Sequence, residues 1–278
     1  MKLSVITVNL NNKDGLARTI RSVVGQSAKD YEYIIMDGGS IDGSVDIIRE
    51  NESKIAYWES CQDKGIYNAM NKGIVRAAGD FCLFLNSGDT LVSDNAIENV
   101  LAALNDKSDI FYAFPMMVNG KGIVSRLEYD DSIDVNYFLL RTVNHQNTII
   151  RRVLLVEMGM YREDFKIAAD WLFFLKAAYL GKRKFSWIDV PIALYTSGGI
   201  SSTPLGHEIS KKEREIGIKE VFGDMSASIL DYIEYKNSVY GSIVAHNGYT
   251  RMLWFILMAY RFLARRIPIL NTENKIQY

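Results

Sequence analysis

Acidic and amide side chains follow three apolar segments of the sequence, at the end of the segment or soon after it. Asp37 opens Asp37-Gly-Gly-Ser40, Asp63 opens Asp63-Lys-Gly65, and Asn86-Ser-Gly-Asp89 follows the third segment. The carboxyl ends of parallel strands share one edge of a sheet, and open α/β sheets bind ligands there. A carboxylate can face a diphosphate only through a divalent cation that neutralises both charges. We therefore predict that Asp89 binds a metal ion, although an ordinary polar turn accounts for the same residues taken alone.

The elements that must position these residues alternate between two periodicities. Short apolar, β-branched runs predict strands, and segments with apolar residues three or four apart predict helices between them. This alternation is typical of an α/β domain with crossover helices. The predicted strands are Leu3 to Val8, Tyr31 to Met36, Ile55 to Glu59, Phe81 to Leu85 and Ile110 to Phe114.

The regular alternation stops after Pro115. Met116 to Arg126 predicts a hairpin that turns at Asn119-Gly120. Lys166 to Leu180 predicts an amphipathic helix, and strands are expected at Phe185 to Ile188 and Ile192 to Tyr195. We therefore divide the chain into residues 1–115, residues 116–209 and a helical extension at 210–278.

The composition limits the classes of function. The chain has 278 residues, 32 Lys and Arg against 33 Asp and Glu, so no net field attracts DNA or RNA and we expect no nucleic-acid partner. Its two cysteines, Cys61 and Cys82, lack the spacing of a zinc site and fit a reducing compartment. The first residues lead directly into an apolar strand without a signal-peptide pattern, so we expect a cytoplasmic protein.

The first loop excludes two familiar ways of binding phosphate. Asn9-Leu-Asn-Asn-Lys13 contains neither GxGxxG nor GxxxxGK[ST], which disfavours a nicotinamide or flavin cofactor and a P-loop. A sugar-1-phosphate nucleotidyltransferase would need a Gly-rich, basic loop here, and that loop is absent as well.

Five segments, in order along about two hundred residues, resemble the family 2 glycosyltransferases, and within them the colanic-acid-type, capsule and exopolysaccharide enzymes. The segments are Ser4-Val-Ile-Thr-Val-Asn-Leu-Asn11, Ile35-Met-Asp-Gly-Gly-Ser40, Asp63-Lys-Gly-Ile-Tyr-Asn-Ala-Met-Asn-Lys-Gly73, Phe84-Leu-Asn-Ser-Gly-Asp89 and Ala168-Ala-Asp170. The resemblance implies a GT-A (nucleotide-diphospho-sugar transferase) fold, with a Rossmann-like, mainly parallel sheet, an acceptor-side lobe and a helical C-terminal tail. It also implies a nucleotide-sugar donor and inversion at the anomeric carbon.

The resemblance assigns roles to residues of the donor edge. It implies donor binding by Asn9, Asp37, Asp63, Lys64, Asn86 and Ser87. UDP-sugars are the favoured donors, and the cofactor is Mn²⁺ or Mg²⁺. Relatives carry two or three acids in the metal motif, whereas this chain keeps only Asp89. Many relatives also have an arginine where this chain has Met70, and Lys64 or Lys72 is a candidate substitute.

On the acceptor side, the resemblance makes Asp170 the catalytic base, with Ala169 in place of the usual acidic neighbour. A lone Asp at a helix start is also a common cap or dipole partner. Acceptor or diphosphate contacts are expected from His145, Gln146, Trp171 and Ser201. The alternative for His145 is an ordinary histidine of the core or surface. The alternative for Ser201 is a solvated linker at Gly198 to Ser202.

The apolar run Leu253 to Tyr260 is flanked by arginines and is too short to span a bilayer. It predicts either peripheral contact with the inner face of the cytoplasmic membrane or packing on the core or on a partner chain. Membrane contact would bring the enzyme to a lipid-linked acceptor.

The resulting hypothesis is an inverting glycosyltransferase of bacterial surface polysaccharide synthesis. It transfers a sugar from a nucleotide-diphosphate donor to a hydroxyl of a glycan or lipid-linked oligosaccharide. The alternatives are a non-catalytic scaffold on the same fold and a nucleotide-sugar hydrolase. The sequence does not specify the sugar or the linkage, because one fold serves many specificities.

Overall fold

The computed structural model describes residues 2–118, 124–126, 133–196 and 199–238. The strands in these ranges are β1 (Leu3–Asn9), β2 (Tyr31–Asp37), β3 (Tyr57–Ser60), β4 (Phe81–Phe84), β5 (Thr90–Leu91), β6 (Ile110–Tyr112), β7 (Met116–Val118), β8 (Val124–Arg126), β9 (Thr148–Arg151), β10 (Phe185–Trp187) and β11 (Ala193–Thr196). The α-helices are α1 (Lys13–Val24), α2 (Ser44–Glu50), α3 (Ile66–Arg76), α4 (Ala96–Ala103), α5 (Val135–Leu140), α6 (Arg152–Glu157), α7 (Ala169–Tyr179), α8 (Pro204–Phe222) and α9 (Ser226–Asn237).

The main sheet has seven strands in the order β10-β6-β9-β4-β1-β2-β3. Every adjacent pair is parallel except the two pairs that involve β9, which runs antiparallel to β4 and β6. This arrangement confirms the predicted α/β class with a mainly parallel sheet.

The central strand β1 shows why the sequence pattern was informative. All seven of its residues are buried, because β1 lies between β2 and β4 and helices cover the sheet. A strand covered on both faces does not show the strict alternation of apolar and polar residues that a half-exposed strand has. The register pairs Asn9 with Asp37 and Ile6 with Phe84, so the carboxyl ends of the three strands lie side by side.

Strand β9 was not predicted from the sequence. Thr148–Arg151 passes directly into α6 at Arg152, so no turn residue marks its end. Its three apolar or β-branched residues are fully buried between two other strands. A buried segment of this length has no periodicity that separates it from a helix.

A smaller sheet has the order β5-β11-β7-β8. Strands β7 and β8 pair antiparallel, which confirms the predicted hairpin, while its turn at Asn119-Gly120 lies outside the described residues. Strand β11 pairs with β5, which directly follows Asp89. The second sheet therefore reaches the loop at the end of β4.

The compact units of the chain are residues 1–213 and residues 214–278. The boundary expected near residue 115 lies inside the first unit, because β9 and β10 belong to the main sheet. Described residues of the second unit form the end of α8, a 3-10 helix at Gly223–Met225 and α9. No helix among the described residues is long and apolar enough to cross a membrane. The segment Leu253 to Tyr260, for which membrane contact was predicted, lies outside the described residues.

Candidate functional site

A cluster of polar side chains lies where β1, β2 and β3 end. The carboxylate of Asp37 accepts five hydrogen bonds there. The donors are Asn9 Nδ2 at 2.7 Å, Ser40 Oγ at 2.6 Å, the Ser40 amide at 2.9 Å, the Gly39 amide at 3.2 Å and Ser60 Oγ at 2.6 Å. Asp37 therefore joins the ends of three neighbouring strands, a role that the strand positions alone did not reveal.

Burial and hydrogen bonding act in opposite directions on Asp37. Burial raises the pKa of its carboxyl, but hydrogen bonds from Ser40, Ser60 and Asn9 together lower it by more. The net pKa lies below the usual value, so the carboxylate is ionised at neutral pH.

Asp63 lies beside this cluster. A Cβ atom added to Gly38 would come within 2.8 Å of Asp63 Oδ2, so a larger residue at position 38 would displace the Asp63 side chain. The other carboxylate oxygen of Asp63 accepts a 2.8 Å hydrogen bond from the Gly65 amide, in the loop that precedes α3. The predicted donor-binding residues Asn9, Asp37 and Asp63 are thus brought together.

The loop after β4 is held by α1. Asn12 caps that helix by accepting a hydrogen bond from the Gly15 amide, and its Nδ2 donates to the carbonyl of Ser87 at 2.9 Å. Thr19 Oγ1 accepts from the Gly88 amide at 2.9 Å and donates to the carbonyl of Asp89 at 2.7 Å. Gly88 has φ +107, a conformation that favours glycine. The sequence did not predict that Thr19 holds this loop.

Asp89, the predicted metal ligand, is buried, and its Oδ2 accepts a 3.0 Å hydrogen bond from Gln146 Nε2. Burial raises the pKa of Tyr195 on β11, and the negative charge of Asp89 raises it further. Gln146 and Tyr195 both come from the part of the chain expected to form the acceptor side. Residues of that part therefore lie against the loop after β4.

Asp170, the predicted base, lies in the first turn of α7 and is largely buried. Its Oδ1 accepts hydrogen bonds from the Trp171 amide at 2.7 Å and from the Tyr67 hydroxyl at 3.2 Å. Its Oδ2 lies 2.9 Å from His145 Nδ1. Both carboxylate oxygens are thus held by side chains or backbone from three separate segments.

His145 lies between Asp170 and the loop after β4. On its other side, His145 Nε2 lies 3.0 Å from Asn86 Nδ2. Asn86 in turn accepts a 3.0 Å hydrogen bond from the Asp89 amide through its carbonyl. The residues predicted separately for donor, metal, base and acceptor are therefore linked by side-chain contacts and by one backbone hydrogen bond within the loop after β4; they are Asn86, Asp89, Asp170, His145 and Gln146.

Two buried amide oxygens at this edge have no hydrogen-bond partner. They are Asn9 Oδ1 and Asn86 Oδ1. Buried polar atoms in proteins are almost always satisfied, and an unsatisfied one at an open sheet edge is explained by a ligand or an ordered water molecule. These two acceptors are available to hydroxyl or N–H groups of a bound molecule.

The sequence also did not predict a structural role for Glu213, on α8. Its buried carboxylate accepts hydrogen bonds from the backbone amides of Lys166 at 2.6 Å, Ile167 at 3.0 Å and Ala168 at 2.8 Å. The helix expected from Lys166 begins only at Ala169, and the three preceding amides donate to Glu213 instead. Glu213 therefore fixes the segment that leads into Asp170.

The side chains of the other predicted residues make no described hydrogen bond to this cluster. Trp171 is buried, and its indole N–H donates to the Phe138 carbonyl at 2.6 Å, so its side chain packs in the interior instead of facing the edge. Ser201 is exposed in a 3-10 helix, and no described hydrogen bond joins it to the cluster. Lys64 is exposed, whereas Lys72 is paired with Glu59 at 3.1 Å.

The protein itself offers few ligands for a cation. No group of three or more His, Cys, Asp or Glu side chains in the described part of the chain is placed to hold a metal ion. In the loop after β4, Asp89 is the one carboxylate. A cation at Asp89 would need further oxygen ligands from a bound diphosphate or from water.

Sequence comparisons identify relatives of this chain. Residues 4–164 match the model of Glycosyl transferase family 2. An uncharacterised glycosyltransferase of Mycobacterium tuberculosis strain H37Rv is 35% identical over 179 residues, which cover 63% of this chain and 68% of that protein. A PGL/p-HBAD biosynthesis glycosyltransferase of Mycobacterium bovis BCG is 28% identical over 216 residues, covering 75% and 82%.

Solved structures share the fold at low sequence identity. Residues 1–349 of S. aureus TarS, in complex with UDP-GlcNAc, superpose with a TM-score of 0.66 at 20% identity, covering 95% of this chain and 81% of that one. The chain spans 45% of the longer TarS chain. The mannosyltransferase PcManGT from Pyrobaculum calidifontis, in complex with GDP-Man and Mn²⁺, gives a TM-score of 0.56 at 13% identity, covering 98% and 88%.

Proposed function

The chain belongs to glycosyl transferase family 2, and on that premise we propose that it is an inverting enzyme that uses a nucleotide-diphosphate sugar. It transfers the sugar to a hydroxyl of a glycan or lipid-linked acceptor. The main support is the cluster that joins Asp89 to Asp170 through Gln146, His145 and Asn86. A donor-side carboxylate and a candidate base in one hydrogen-bonded cluster match the needs of a single displacement step.

Asp170 is the proposed general base. Single displacement at the anomeric carbon requires a group that takes the proton of the attacking hydroxyl, and a positioned carboxylate does this without a covalent intermediate. The bonds from the Trp171 amide, Tyr67 and His145 restrict the carboxylate to one orientation. Such restriction keeps the accepting oxygen aligned with the hydroxyl.

The edge formed by β1, β2 and β4 is the proposed donor site. The unpartnered oxygens of Asn9 and Asn86 would accept hydrogen bonds from the donor. Asp37 and Asp63 would contact the nucleoside, and Ser87, whose hydroxyl accepts a 3.3 Å hydrogen bond from Asn12, belongs to the same loop as Asp89. Exposed Lys64 is the better candidate for a phosphate contact, because Lys72 is already paired with Glu59. A UDP-sugar is the favoured donor, since the TarS complex holds UDP-GlcNAc.

Asp89 is the proposed protein ligand of Mn²⁺ or Mg²⁺. The divalent ion, when bound, neutralises the diphosphate charge and stabilises it as a leaving group. Asp89 is positioned for this by Thr19, which holds its backbone, and by Gln146, which orients its side chain. The Mn²⁺ in the PcManGT complex supports a divalent ion on this fold.

The acceptor is proposed to be membrane-associated. A PGL/p-HBAD biosynthesis enzyme and the Cholesterol galactosyltransferase of Borreliella burgdorferi are among the similar proteins, and the latter is 30% identical over 126 residues. The apolar, arginine-flanked run at Leu253 to Tyr260 would bring the enzyme to the membrane surface. Deletion of residues 249–278 should then release the protein from anionic vesicles in a flotation assay, and unchanged flotation would contradict this contact.

Calorimetric binding of nucleoside diphosphates is the first test of the donor. UDP, GDP and TDP are each titrated with Mn²⁺, with Mg²⁺ and with a chelator. We expect tight binding of one nucleotide that weakens at least tenfold with the chelator. Asp89→Asn should abolish the difference in nucleotide affinity between titrations with metal and with chelator. Asp94→Asn, at an exposed position in the same region, should leave that difference unchanged. Absence of binding by all nucleotides would favour the non-catalytic scaffold.

Transfer assays with the identified donor test the base. Asp170→Asn should lower kcat about 100- to 10,000-fold, the usual contribution of general base catalysis, and leave nucleotide affinity within about twofold. Asp164→Asn, an exposed carboxylate on the segment before α7, is the matched control and should retain activity. Full transfer by Asp170→Asn would refute the assignment. Sugar release without acceptor at the rate of transfer would identify a hydrolase.

A further inference from the structure

The side chain of His145 lies between two functional groups that the sequence separates widely. Its Nδ1 lies 2.9 Å from Asp170 Oδ2, and its Nε2 lies 3.0 Å from Asn86 Nδ2. The imidazole is only 16% exposed and the Asp170 side chain only 12%. Neither ring nitrogen therefore faces open solvent, where an acceptor sugar would approach it.

We propose that His145 is a positioning residue that acts through Asp170, instead of the acceptor or diphosphate contact expected from the sequence. It fixes the carboxylate of Asp170 and couples the orientation of this carboxylate to the loop after β4, which contains Asn86 and Asp89 and is here called the donor loop. This inference rests on the proposed function of Asp170, since a residue can position a base only if Asp170 is one.

The tautomer of His145 follows from its neighbours. An amide nitrogen such as Asn86 Nδ2 can only donate, so His145 Nε2 must accept. The ring hydrogen then lies on Nδ1 and is donated to Asp170 Oδ2. The opposite orientation of the Asn86 amide would place its oxygen against Nε2 and require a hydrogen on both ring nitrogens. The two arrangements therefore predict different protonation states of the ring, and both place a hydrogen on Nδ1.

The contact removes the remaining rotational freedom of the Asp170 carboxylate. Its Oδ1 is already held by the Trp171 amide and by Tyr67, and both of these contacts lie on one side of the carboxyl group. His145 holds the second oxygen, which keeps one lone pair for the acceptor hydroxyl. Without His145, Oδ2 loses its directed hydrogen bond and the carboxylate samples orientations that do not face the hydroxyl.

The same histidine connects the base to the donor side. Asn86 belongs to the loop that contains Asp89, and the neighbouring Gln146 donates to Asp89 directly. A donor that shifts this loop therefore shifts His145 and Gln146 together. Because His145 also contacts Asp170, the orientation of the base depends on the state of the donor loop.

Three substitutions of His145 separate its two contacts. His145→Asn keeps an amide donor near the position of Nδ1, whereas His145→Gln places its amide near the position of Nε2, and His145→Ala removes both. We expect His145→Asn to retain kcat within about fivefold of wild type. The Gln and Ala variants should lose kcat about 10- to 100-fold with nucleotide affinity and donor KM unchanged. Equal losses in the Asn and Ala variants, or losses confined to donor KM, would overturn the proposal.

A double-mutant cycle tests whether His145 acts through Asp170. In the Asp170→Asn background, His145→Ala should lower residual transfer less than twofold, because the group that it positions is already gone. The same 10- to 100-fold loss in both backgrounds would show that His145 contacts substrate independently. Circular dichroism and nucleotide calorimetry of each variant confirm that the fold and donor site persist.

A spectroscopic readout does not depend on transfer. The sequence contains three histidines, so ¹⁵N-labelled histidine spectra can be assigned with the His145→Asn variant. We expect the neutral Nδ1–H tautomer for His145 in the intact protein. An Nε2–H tautomer would leave Nδ1 without a hydrogen to donate to Asp170 and would overturn the proposal. A ring protonated on both nitrogens would keep the Nδ1–H contact and would indicate the opposite orientation of the Asn86 amide. If wild type binds no nucleotide, the proposed function fails, while the tautomer still tests this contact separately.

Discussion

Glu213 offers the sharpest test of how the fold positions Asp170. Replacing Glu213 with Ala removes the acceptor of three backbone amides, those of residues 166–168, immediately before α7. The carboxylate is buried, so the freed amides have limited access to water. The substitution thus acts on the segment that leads into Asp170, while Asp170 itself is not changed.

The size of the effect follows from the geometry. A hydrogen bond to a charged group contributes about 1.5–3 kcal/mol, and a buried unsatisfied donor costs about 1–3 kcal/mol. Three such bonds are lost together, but their effects are not additive and water can enter the space left by the side chain. We expect Glu213→Ala to lower the free energy of unfolding of the first unit by about 3–5 kcal/mol.

Glu213→Gln provides an internal comparison. Its amide oxygen can replace Oε2, which accepts from Ile167 and Ala168, but its NH₂ group then faces the Lys166 amide, where two donors oppose each other. We expect a loss of about 1.5–3 kcal/mol, between wild type and Ala. Glu208→Ala, an exposed position on the same helix, is the control and should change stability by less than about 0.5 kcal/mol.

Urea unfolding followed by tryptophan fluorescence measures these differences, and transfer assays under native conditions measure kcat. We expect kcat of Glu213→Ala to fall with donor affinity retained, because the start of α7 shifts while the donor edge does not. A loss below about 1 kcal/mol with unchanged kcat would refute the idea that Glu213 holds the segment before Asp170.

Two further predictions concern Asp37 and Tyr67. The folded pKa of Asp37 is lowered, so its stabilisation is complete above the unfolded pKa of about 3.9 and is lost as pH falls through the lower folded value. Asp37→Asn should therefore lower the free energy of unfolding by about 1–3 kcal/mol at pH 7. In urea titrations, the difference from wild type should become smaller below about pH 4. A difference that does not depend on pH, or an equal difference for Asp46→Asn at an exposed position, would contradict this. Tyr67→Phe removes a hydroxyl whose one hydrogen is shared between the Ile167 carbonyl at 2.6 Å and Asp170 Oδ1 at 3.2 Å. Stability should fall by about 1–2 kcal/mol and kcat about three- to tenfold, and unchanged kcat would show that Tyr67 does not help to hold Asp170.

The local pattern of the sequence was sufficient for most of the main sheet. Apolar runs at Leu3 to Val8, Tyr31 to Met36 and Phe81 to Leu85 became strands β1, β2 and β4 with bounds within about two residues. The rule that ligands bind beyond the carboxyl ends of parallel strands placed Asp37 and Asp89 at one edge. The motifs also indicated the family, which the comparisons confirm.

The sequence did not reveal which side chains contact each other across the chain. The strand Thr148–Arg151 has no flanking turn residue, so its insertion between β4 and β6 could not be anticipated. Likewise, Trp171 follows the proposed base in sequence, yet helix geometry turns its ring into the interior while Asp170 faces His145.

The alternation of strands and helices, and the polar residues at the ends of the strands, could be predicted from the amino-acid sequence. These features depend on backbone periodicity and on neighbours a few residues away. Only the tertiary structure shows that Glu213 holds residues 166–168 and that Thr19 holds the loop of Asp89. It also shows that His145 joins Asn86 to Asp170. Those contacts join residues between 25 and 70 positions apart, and the packing of whole elements, instead of any local preference, brings such residues within hydrogen-bonding distance.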